Sequence, residues 1–539
     1  MRSRRLVISA AFVAAGVGLV PVTAHAADPV ATKASAVAKA AASDAHTYTS
    51  PADRSVRKGL STAQPKTTGN PDLKVALEGQ GYSAHNVMLE TKIQSVDTAL
   101  DVTIAWGDGT SDKVSAKGAE PLYRDHAYAE VGSYVVKVTV KDTANGVEVS
   151  NELALVTAGS EFTPYAPTRI LDTRFGTGAA QAKVAPSGTV RVKVGGNGGI
   201  PAGVSAVVLN VTVTNPTDSG FVTVFPEGRE RPATSNVNYE AGQTVPNQVI
   251  VPVGKNGYVD LYNGSWGGSS VDLIADVTGY FTPKPASGYK SLEPVRFVDT
   301  REGLGAAKGQ LAGQKGFSTQ ISGLRGVPAG VKAVALNVTV TDPKGLGHLT
   351  VFPGGGTLPN ASNLNFTAGQ TIANSVIVPV GSDGRISVFN GAWAPTDVVV
   401  DVVGFYSPAN KAAFRPSEPF RTIDTRDPDN RPEGKVPARG YISQLYPEPE
   451  GLEASVFNVT VTNTTGSGFL SVAPDPNAWG PPAPAPARPG SSTLNWTAGK
   501  TVPNLVQASD GERGGINFWN QGWSDVDLVV DSFGFYETN

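Results

Sequence analysis

Apolar and polar residues alternate along much of the chain, in short stretches separated by glycine, proline and asparagine. The stretches 100–105 and 134–140 include an apolar side chain at every second position, which is the period of a β-strand with one buried face. Other stretches, such as 204–214, 248–253 and 271–277, alternate or stay apolar between turn residues. The pattern predicts an all-β protein built from many short strands.

The second part of the chain repeats one block of sequence three times. The motif Arg-x-x-Asp-Thr-Arg occurs at 169–174, 296–301 and 421–426, so successive copies are 127 and 125 residues apart. A block of that length is the size of a whole domain, and it is too long for one turn of a solenoid or one blade of a propeller. We therefore expect three homologous β-sandwich or jelly-roll-like domains.

The predicted organisation follows from this repetition and from changes in composition. Before the first folded module, alanine, serine, threonine and lysine dominate and large apolar residues are scarce, which is typical of a flexible segment. Proline-containing stretches at 283–294 and 407–419 predict stiff linkers, and hence an elongated array of domains. In chain order, the predicted segments are a signal peptide (1–26), a flexible leader (27–70), an Ig-like β-sandwich (71–158) and three repeats (159–283, 284–408 and a divergent 409–539).

The first residues have the layout of an export signal. Three arginines within the first five residues give a basic start, residues 6–22 are apolar, and small residues precede a cleavage site that we place after Ala26. The motif Ser-Arg-Arg also fits a twin-arginine signal, so general secretory and twin-arginine export both stay open. We expect the mature protein to be extracellular, either free in the medium or held non-covalently at the cell surface.

The amino-acid composition excludes several kinds of functional site. The 539 residues contain no cysteine, which excludes thiol nucleophiles, cysteine–zinc sites and disulfides. A net charge of −3 gives no electrostatic reason to expect nucleic acid or anionic lipid as a partner. We expect stability to come from hydrophobic cores, and we expect no cofactor, no metal and no membrane span after signal cleavage.

Two motifs in the first module carry a family resemblance. Trp106-Gly-Asp-Gly-Thr is followed by His126-Ala-Tyr128 and by the strand at 132–138, and together they closely resemble a PKD domain. The resemblance implies an Ig-like β-sandwich, of a kind that accompanies extracellular hydrolases as a spacer or an aid to substrate binding. From the residues themselves, we expect Trp106 in the core and His126 and Tyr128 fixing a loop. Asp108 alone leaves calcium binding open.

The three repeats resemble a β-rich module that recurs in secreted proteins of soil actinobacteria, where it is appended to enzymes or stands alone. The resemblance rests on the arginine motif, on Leu-Asn-Val-Thr-Val-Thr at 209–214 and on the motif at 238–244, each with counterparts in the other two copies. It implies secretion and modular construction, and it implies no particular ligand.

The repeated charged motif allows two interpretations. Its two arginines and one aspartate could form a fork that binds an anion, or the aspartate could pair within the repeat and fix the first strand to the sandwich. We favour the structural interpretation, and we likewise expect repeated asparagines to satisfy buried backbone groups. The charged residues are Arg169, Asp172, Arg174, Arg296, Asp299, Arg301, Arg421, Asp424 and Arg426, and the asparagines are Asn210, Asn247, Asn337, Asn374, Asn458 and Asn504.

A repeated turn provides the candidate ligand site. In each repeat an asparagine is followed three residues later by a tryptophan, just ahead of the last strand. The tryptophan either folds back as a lid over its own sandwich or presents a flat face on which a sugar ring stacks, with asparagine or a nearby aspartate (Asp272, Asp397, Asp527) bonding sugar hydroxyls. The candidate residues are Asn263, Trp266, Asn390, Trp393, Asn520 and Trp523.

No arrangement typical of an enzyme is visible. The sequence lacks an H-E-x-x-H pair, a G-x-S-x-G elbow and a glycine-rich phosphate loop, and its most regular aspartates occur in all three copies, which favours scaffold roles. We predict a secreted, non-catalytic, multidomain binding or adhesion protein that engages polysaccharide, cell-wall glycan or other cell-surface material. The alternatives are a structural spacer or assembly component with an extracellular protein partner, and a secreted glycoside hydrolase.

Overall fold

The computed structural model describes residues 4–7, 46–60, 70–265, 267–430, 434–445, 450–475, 486–510 and 514–539. Within these ranges the chain forms 34 β-strands in eight sheets, with a short 3₁₀ helix at Ala52–Arg54. The predicted all-β class with tandem β-sandwiches is confirmed. The first strand, β1 (Arg4–Val7), falls within the predicted signal peptide, whose other residues lie outside the described ranges.

The described residues form two compact units. One contains those of 1–41, 162–282 and 286–536, and the other contains those of 42–161, 283–285 and 537–539. We call the first the repeat unit and the second the N-terminal unit.

The N-terminal unit is a β-sandwich of nine strands in two sheets. One sheet has the order β2-β4-β5-β8 and the other β3-β10-β9-β6-β7. Apolar side chains from alternate positions of both sheets meet between them and form the core. The strands are β2 (Thr47–Ser50), β3 (Val56–Gly59), β4 (Lys74–Gly81), β5 (Asn86–Gln94), β6 (Ala99–Ala105), β7 (Ser111–Lys117), β8 (Leu122–Ala127), β9 (Ser133–Asp142) and β10 (Val147–Val156).

Two of these strands lie inside the expected flexible leader, and they correct that expectation for the described residues 46–60. β2 pairs with β4 and β3 pairs with β10, so each extends one of the two sheets at an edge. Both strands are four residues long, and all four side chains of β3 are exposed. Such a strand is held by backbone hydrogen bonds rather than by an apolar face, so hydrophobic periodicity does not detect it.

Each repeat folds into eight strands that form two four-stranded sheets. Numbering the strands of one repeat from one to eight, the sheet orders are 1-8-3-6 and 2-7-4-5, with β1 added beside the second strand of the third repeat. This connectivity is that of a jelly roll, as the sequence predicted. The first repeat contains β11 (Glu161–Asp172), β12 (Thr189–Lys193), β13 (Ala206–Thr214), β14 (Gly220–Pro226), β15 (Val237–Tyr239), β16 (Val245–Pro252), β17 (Tyr258–Asn263) and β18 (Asp272–Thr282).

The other two repeats have the same strands at equivalent places. The second contains β19 (Gly288–Asp299), β20 (Lys315–Gln320), β21 (Ala333–Thr341), β22 (Gly347–Pro353), β23 (Leu364–Phe366), β24 (Ile372–Pro379), β25 (Arg385–Asn390) and β26 (Asp397–Ser407). The third contains β27 (Ala413–Asp424), β28 (Tyr441–Leu445), β29 (Leu452–Thr462), β30 (Gly468–Pro474), β31 (Leu494–Trp496), β32 (Val502–Ser509), β33 (Gly515–Asn520) and β34 (Asp527–Glu537).

The third strand of each repeat is buried on both faces. All nine residues of β13 are buried. Val207 and Leu209 point into the core of their own sandwich, whereas Ala206 and Val208, on the opposite face, belong to a separate core. That second core contains residues from all three repeats. The outer face of the 1-8-3-6 sheet therefore packs mainly against neighbouring repeats.

Equivalent hydrogen bonds join each repeat to the next and close a ring. The side-chain amide of Asn210 donates to the backbone oxygen of Ser362 (2.7 Å), Asn337 donates to Ser492 (2.6 Å), and Asn458 donates back to Ser235 (2.6 Å). Because the first repeat contacts the second, the second the third and the third the first, the repeats are related by a pseudo-threefold axis.

The ring overturns the expected elongated array of repeats. The stretches expected to be linkers are largely strand, since residues 288–294 belong to β19 and residues 413–419 belong to β27. Aromatic side chains from all three repeats lie together in the shared core, where Phe162 is 4.2 Å from Tyr406 and Tyr289 is 4.3 Å from Tyr536, measured between ring centroids. The repeats thus form one packed body.

Candidate functional site

The repeated tryptophan turn connects the last two strands of each repeat. In the second and third repeats the tryptophan side chains are strongly exposed, with Trp393 89% and Trp523 81% accessible. The expectation that the tryptophan covers its own sandwich is wrong for these two residues. Trp266, the counterpart in the first repeat, lies outside the described residues.

A buried asparagine holds each turn. Asn390 is completely buried, and its side-chain amide donates to the backbone oxygens of Leu311 (3.1 Å) and Ala394 (3.0 Å), while its side-chain oxygen accepts from the backbone N–H of Ala392 (2.9 Å). The asparagine therefore ties the two sides of the turn to the loop that precedes the second strand, and Trp393 projects from a fixed backbone.

The equivalent asparagines donate equivalent hydrogen bonds, although the side-chain oxygen of Asn263 accepts from the Tyr239 hydroxyl instead of from the turn backbone. Asn520 donates to Val436 and Ser524, and Asn263 donates to Val184 and Ser269. These three side chains are fully buried, so they do not face a ligand, and the expectation that they bond sugar hydroxyls is corrected to a supporting role. The nearby aspartates, Asp272, Asp397 and Asp527, are buried as well.

The loop that supports the turn contains a backbone feature that sequence patterns missed. Ser187, Gln314 and Arg439 occupy equivalent positions, and all three have positive φ angles, 57°, 55° and 57°. Non-glycine residues rarely adopt this conformation, and it persists only where the surroundings impose it. Here each residue donates its backbone N–H to a carbonyl of the tryptophan turn or of its asparagine. Serine, glutamine and arginine share no side-chain chemistry, so the sequence carried no signal for this site.

The exposed tryptophans differ in their surroundings. The guanidinium of Arg439 lies 5.0 Å from the ring centroid of Trp523, within the range of a cation–π contact. Near Trp393, Gly313 approaches the tryptophan backbone so closely that a Cβ atom there would overlap the Trp393 carbonyl. Leu346, on a neighbouring loop, is 79% exposed. The two turns thus present one aromatic face each, with different neighbours.

The charged side chains of the arginine motif form ion pairs within their own repeat. Arg169 contacts Asp276 (2.9 Å) and Asp172 (3.2 Å), and Arg174 contacts Asp172 (2.7 Å). Hydrogen bonds from Arg174 lower the pKa of Asp172, whereas burial raises the pKa of Asp276. The motif therefore joins the end of the first strand to the last strand. The second and third repeats have equivalent pairs, formed by Arg296, Asp299, Arg301 and Asp401, and by Arg421, Asp424, Arg426 and Asp531.

The repeated asparagines form hydrogen bonds between repeats as well as within a repeat. Asn374 donates to the side-chain oxygen of Asn210 (3.3 Å), and Asn504 donates to that of Asn337 (3.1 Å). Asn247 and Asn458 form the third such pair at 2.8 Å. Sequence reasoning expected buried asparagines here, and the structure adds that their partners come from the adjacent repeat.

In the N-terminal unit, the aromatic motif residues form a stacked cluster. Trp106 is buried, His126 stacks on it with ring centroids 4.4 Å apart, and the Tyr128 hydroxyl donates to the Trp106 carbonyl (3.0 Å). The imidazole of His126 lies 2.8 Å from the carboxylate of Asp108. Burial raises the pKa of Asp108, but hydrogen bonds from Thr110 and His126 outweigh it and lower the pKa to about 2.

The described part of the chain contains neither a metal-binding cluster nor a membrane-spanning helix. Across residues 46–539, leaving aside the gaps in the described ranges, no group of three or more histidine, aspartate or glutamate side chains is arranged to hold a metal ion. Among the same described residues, no helix has the length and apolar character needed to cross a bilayer.

Comparison with known proteins gives weak likenesses only. No protein-family model and no curated protein matches the chain. Solved structures that align with it include the tandem CBM22 domain of Xyn10C from Paenibacillus barcinonensis (13% identity, TM-score 0.15, covering 44% of this chain and 98% of that one). A SusE-like protein aligns with 8% identity and a TM-score of 0.12, covering 39% and 97%. The Sulfolobus turreted icosahedral virus structure aligns with 12% identity and a TM-score of 0.16, covering 70% and 91%. TM-scores this low establish no common fold.

Proposed function

We propose that this protein is an exported, non-catalytic binding protein whose repeat unit attaches to extracellular polysaccharide or cell-surface glycan through its tryptophan turns. The observation that supports the proposal is the exposure of Trp393 and Trp523 at equivalent turns, each held by a buried asparagine. The export signal at 1–26 and the PKD-like identity of the N-terminal unit, acting as a spacer, belong to the same proposal.

The chemistry of an exposed tryptophan suits a sugar. Leaving a large apolar side chain in water is unfavourable, and exposed apolar patches on a protein surface mark interaction sites. An indole ring presents a flat apolar face, which matches the C–H face of a pyranose ring, and its N–H remains able to donate a hydrogen bond. A fixed backbone reduces the conformational entropy lost on binding.

The ring arrangement of the repeats supports joint binding by the turns. The turns are related by the pseudo-threefold rotation, and a rotation leaves the height along its axis unchanged. The turns of all three repeats therefore lie at one level of the repeat unit. Several weak contacts presented on one rigid body bind a polymer or a surface far more tightly than one contact alone, provided that they engage simultaneously.

A retention experiment tests the proposal. Mature protein, residues 27–539, is mixed with insoluble cell wall, chitin or cellulose, and the bound fraction is measured after sedimentation. We expect retention on at least one polymer and a large loss in the double variant Trp393→Ala/Trp523→Ala. The matched control is Tyr123→Ala, which removes an exposed aromatic ring, 51% accessible, from the N-terminal unit.

The outcomes separate the candidate functions. If the tryptophan variant is retained as well as the wild type, the turns are not the binding site. If no polymer retains the wild-type protein, the proposal fails, and a structural role with a protein partner, detectable by crosslinking in culture supernatant, replaces it. Turnover of a polysaccharide by the purified protein would contradict its non-catalytic character.

A further inference from the structure

A cleft of about 330 Å³ lies between the first and second repeats. The first repeat contributes Arg169, Arg174 and Thr212 from the outer side of its 1-8-3-6 sheet, and the second contributes His348, Thr350 and Phe389 from its 2-7-4-5 sheet. This volume is within the usual range of small-molecule sites. The cleft involves none of the residues of the tryptophan turns.

The equivalent places in the other two interfaces contain an arginine that this cleft lacks. Phe389 corresponds to Tyr262 in the first repeat and to Trp519 in the third. Arg231 lies over the Tyr262 ring, 4.3 Å from its centroid, and Arg488 lies 5.9 Å from that of Trp519. In the second repeat the corresponding residue is a leucine, Leu358, which is 48% exposed and lines the cleft. Among the described residues, the Phe389 ring is therefore the one of these three equivalent rings without a guanidinium over it.

The opposite wall offers oriented hydrogen-bond donors. A guanidinium carries five N–H donors. The carboxylates of Asp172 and Asp276 take three from Arg169 and two from Arg174, which leaves each arginine with donors for a further acceptor. Because the same carboxylates neutralise and hold both guanidiniums, the donors are preorganised and the wall has no large net charge. Threonine hydroxyls beside them both donate and accept.

Histidine provides a further polar group at the aromatic side. The imidazole of His348 is desolvated by burial, which lowers its pKa. It is therefore neutral at neutral pH, with one nitrogen able to donate and the other to accept. The described residues that line the cleft include no carboxylate side chain, so the cleft does not favour a cation.

We propose that the cleft between the first and second repeats binds a short saccharide, with one sugar ring stacked on Phe389 and its hydroxyl oxygens accepting from Arg169 and Arg174. The proposal rests on the function proposed above for the class of ligand, and it adds a second, recessed site with a stoichiometry of one per chain. The tryptophan turns contact the surface of a polymer, whereas the cleft holds a single chain segment or a chain end.

The test fills the cleft with the residue that the other two repeats use. Leu358→Arg places a guanidinium over Phe389 by the same geometry that Arg231 and Arg488 already adopt. Wild type and variant are compared on an array of neutral and uronic-acid oligosaccharides, and the best soluble binder is titrated by calorimetry. We expect one site in the wild type and at least a tenfold loss of affinity in Leu358→Arg.

Two further variants keep the result interpretable. Leu324→Arg makes the same substitution at another exposed leucine, 45% accessible, that does not line the cleft, and its affinity is expected to match the wild type. Arg231→Leu removes the guanidinium from Tyr262 and is expected to add a second site, so that the stoichiometry rises towards two. Equal affinity in wild type and Leu358→Arg, or no oligosaccharide bound by the wild type, would overturn the proposal.

The experiments test the two proposed sites separately. Loss of polymer retention in the tryptophan double variant, with oligosaccharide affinity unchanged, supports both sites. Loss of oligosaccharide affinity in Leu358→Arg, with the tryptophan variant still retained on polymer, supports the cleft and refutes the turns. The reverse pattern, in which only the tryptophan substitutions reduce binding, supports the turns and refutes the cleft.

Discussion

Asn390 shows how one buried side chain fixes an exposed one. Its amide and carbonyl bond to backbone groups on both sides of the turn that carries Trp393, and no solvent reaches it. The buried residue was recognisable in the sequence as part of a repeated motif, but its role was not. A recurring asparagine next to a recurring tryptophan suggests a joint ligand site, and only the direction of the side chains shows that one supports the other.

Replacing this asparagine should weaken the fold and the binding together. Asn390→Ala leaves the Leu311 and Ala394 carbonyls without their buried donor, which costs about 1–3 kcal/mol of the free energy of unfolding. Urea unfolding of the repeat unit measures that loss, and retention on polymer is expected to fall although Trp393 is intact. Unfolding and retention equal to those of the wild type would contradict a supporting role.

Asp108 gives the N-terminal unit a dependence on pH. Its folded pKa of about 2 is below the unfolded value of about 3.9, so the ionised form stabilises the folded state above pH 4. This contribution is lost as the pH falls from about 4 to 2. Asp108→Asn should be less stable than the wild type at pH 6, and the difference should shrink below pH 3, as measured by thermal unfolding across that range. A difference independent of pH would show that the carboxylate charge is unimportant.

At the scale of elements, one strand serves two cores. In β21, Leu336 points into its own sandwich and Ala335 points into the core shared by the three repeats. The long apolar stretches of the sequence correctly predicted strands at these places. These stretches also indicate burial on both faces, because a strand with one solvated face alternates apolar and polar residues. What sequence did not reveal is the partner, since alanine and valine on the outer face fit equally well against a helix, a sheet or a second chain.

Substitutions on the two faces of β21 should have different effects. Ala335→Asp buries an unpaired charge in the shared core, which separates the repeats and raises the radius of gyration measured by small-angle X-ray scattering. Leu336→Ala leaves a cavity in one sandwich and lowers the free energy of unfolding by about 2–5 kcal/mol. Its radius is expected to match that of the wild type. An unchanged radius in Ala335→Asp would show that the shared core does not hold the repeats together.

At the scale of the whole molecule, the repeats depend on one another. The tandem β-sandwich class and the number of repeats followed from periodicity and internal repetition. Ring closure could not be predicted from the sequence. The contacts that create it join residues more than 150 positions apart, such as Asn210 and Ser362, and each repeat contributes only one of the two partners. The proline-containing stretches between repeats suggested spacers, yet backbone pairing in β19 and β27 incorporates most of their residues into sheets.

Closure should make the three repeats unfold together. Asn458→Ala removes the hydrogen bonds that join the third repeat to Ser235 and Asn247 of the first, at a cost of about 1–3 kcal/mol. Differential scanning calorimetry is expected to show one transition for the repeat unit that moves to lower temperature as a whole. Independent domains would instead give separate transitions, of which only those of the first and third repeats would shift.

The covalent joining of three copies has a consequence for how this protein changes over generations. In a ring of three identical chains, a single mutation alters all three interfaces at once, so a harmful change at one is harmful at every one. Here the position over the aromatic ring is arginine in the first and third repeats and leucine in the second. The sequence of each interface can therefore change independently of the other two. One interface is free to acquire a new specificity while the other two preserve the ring.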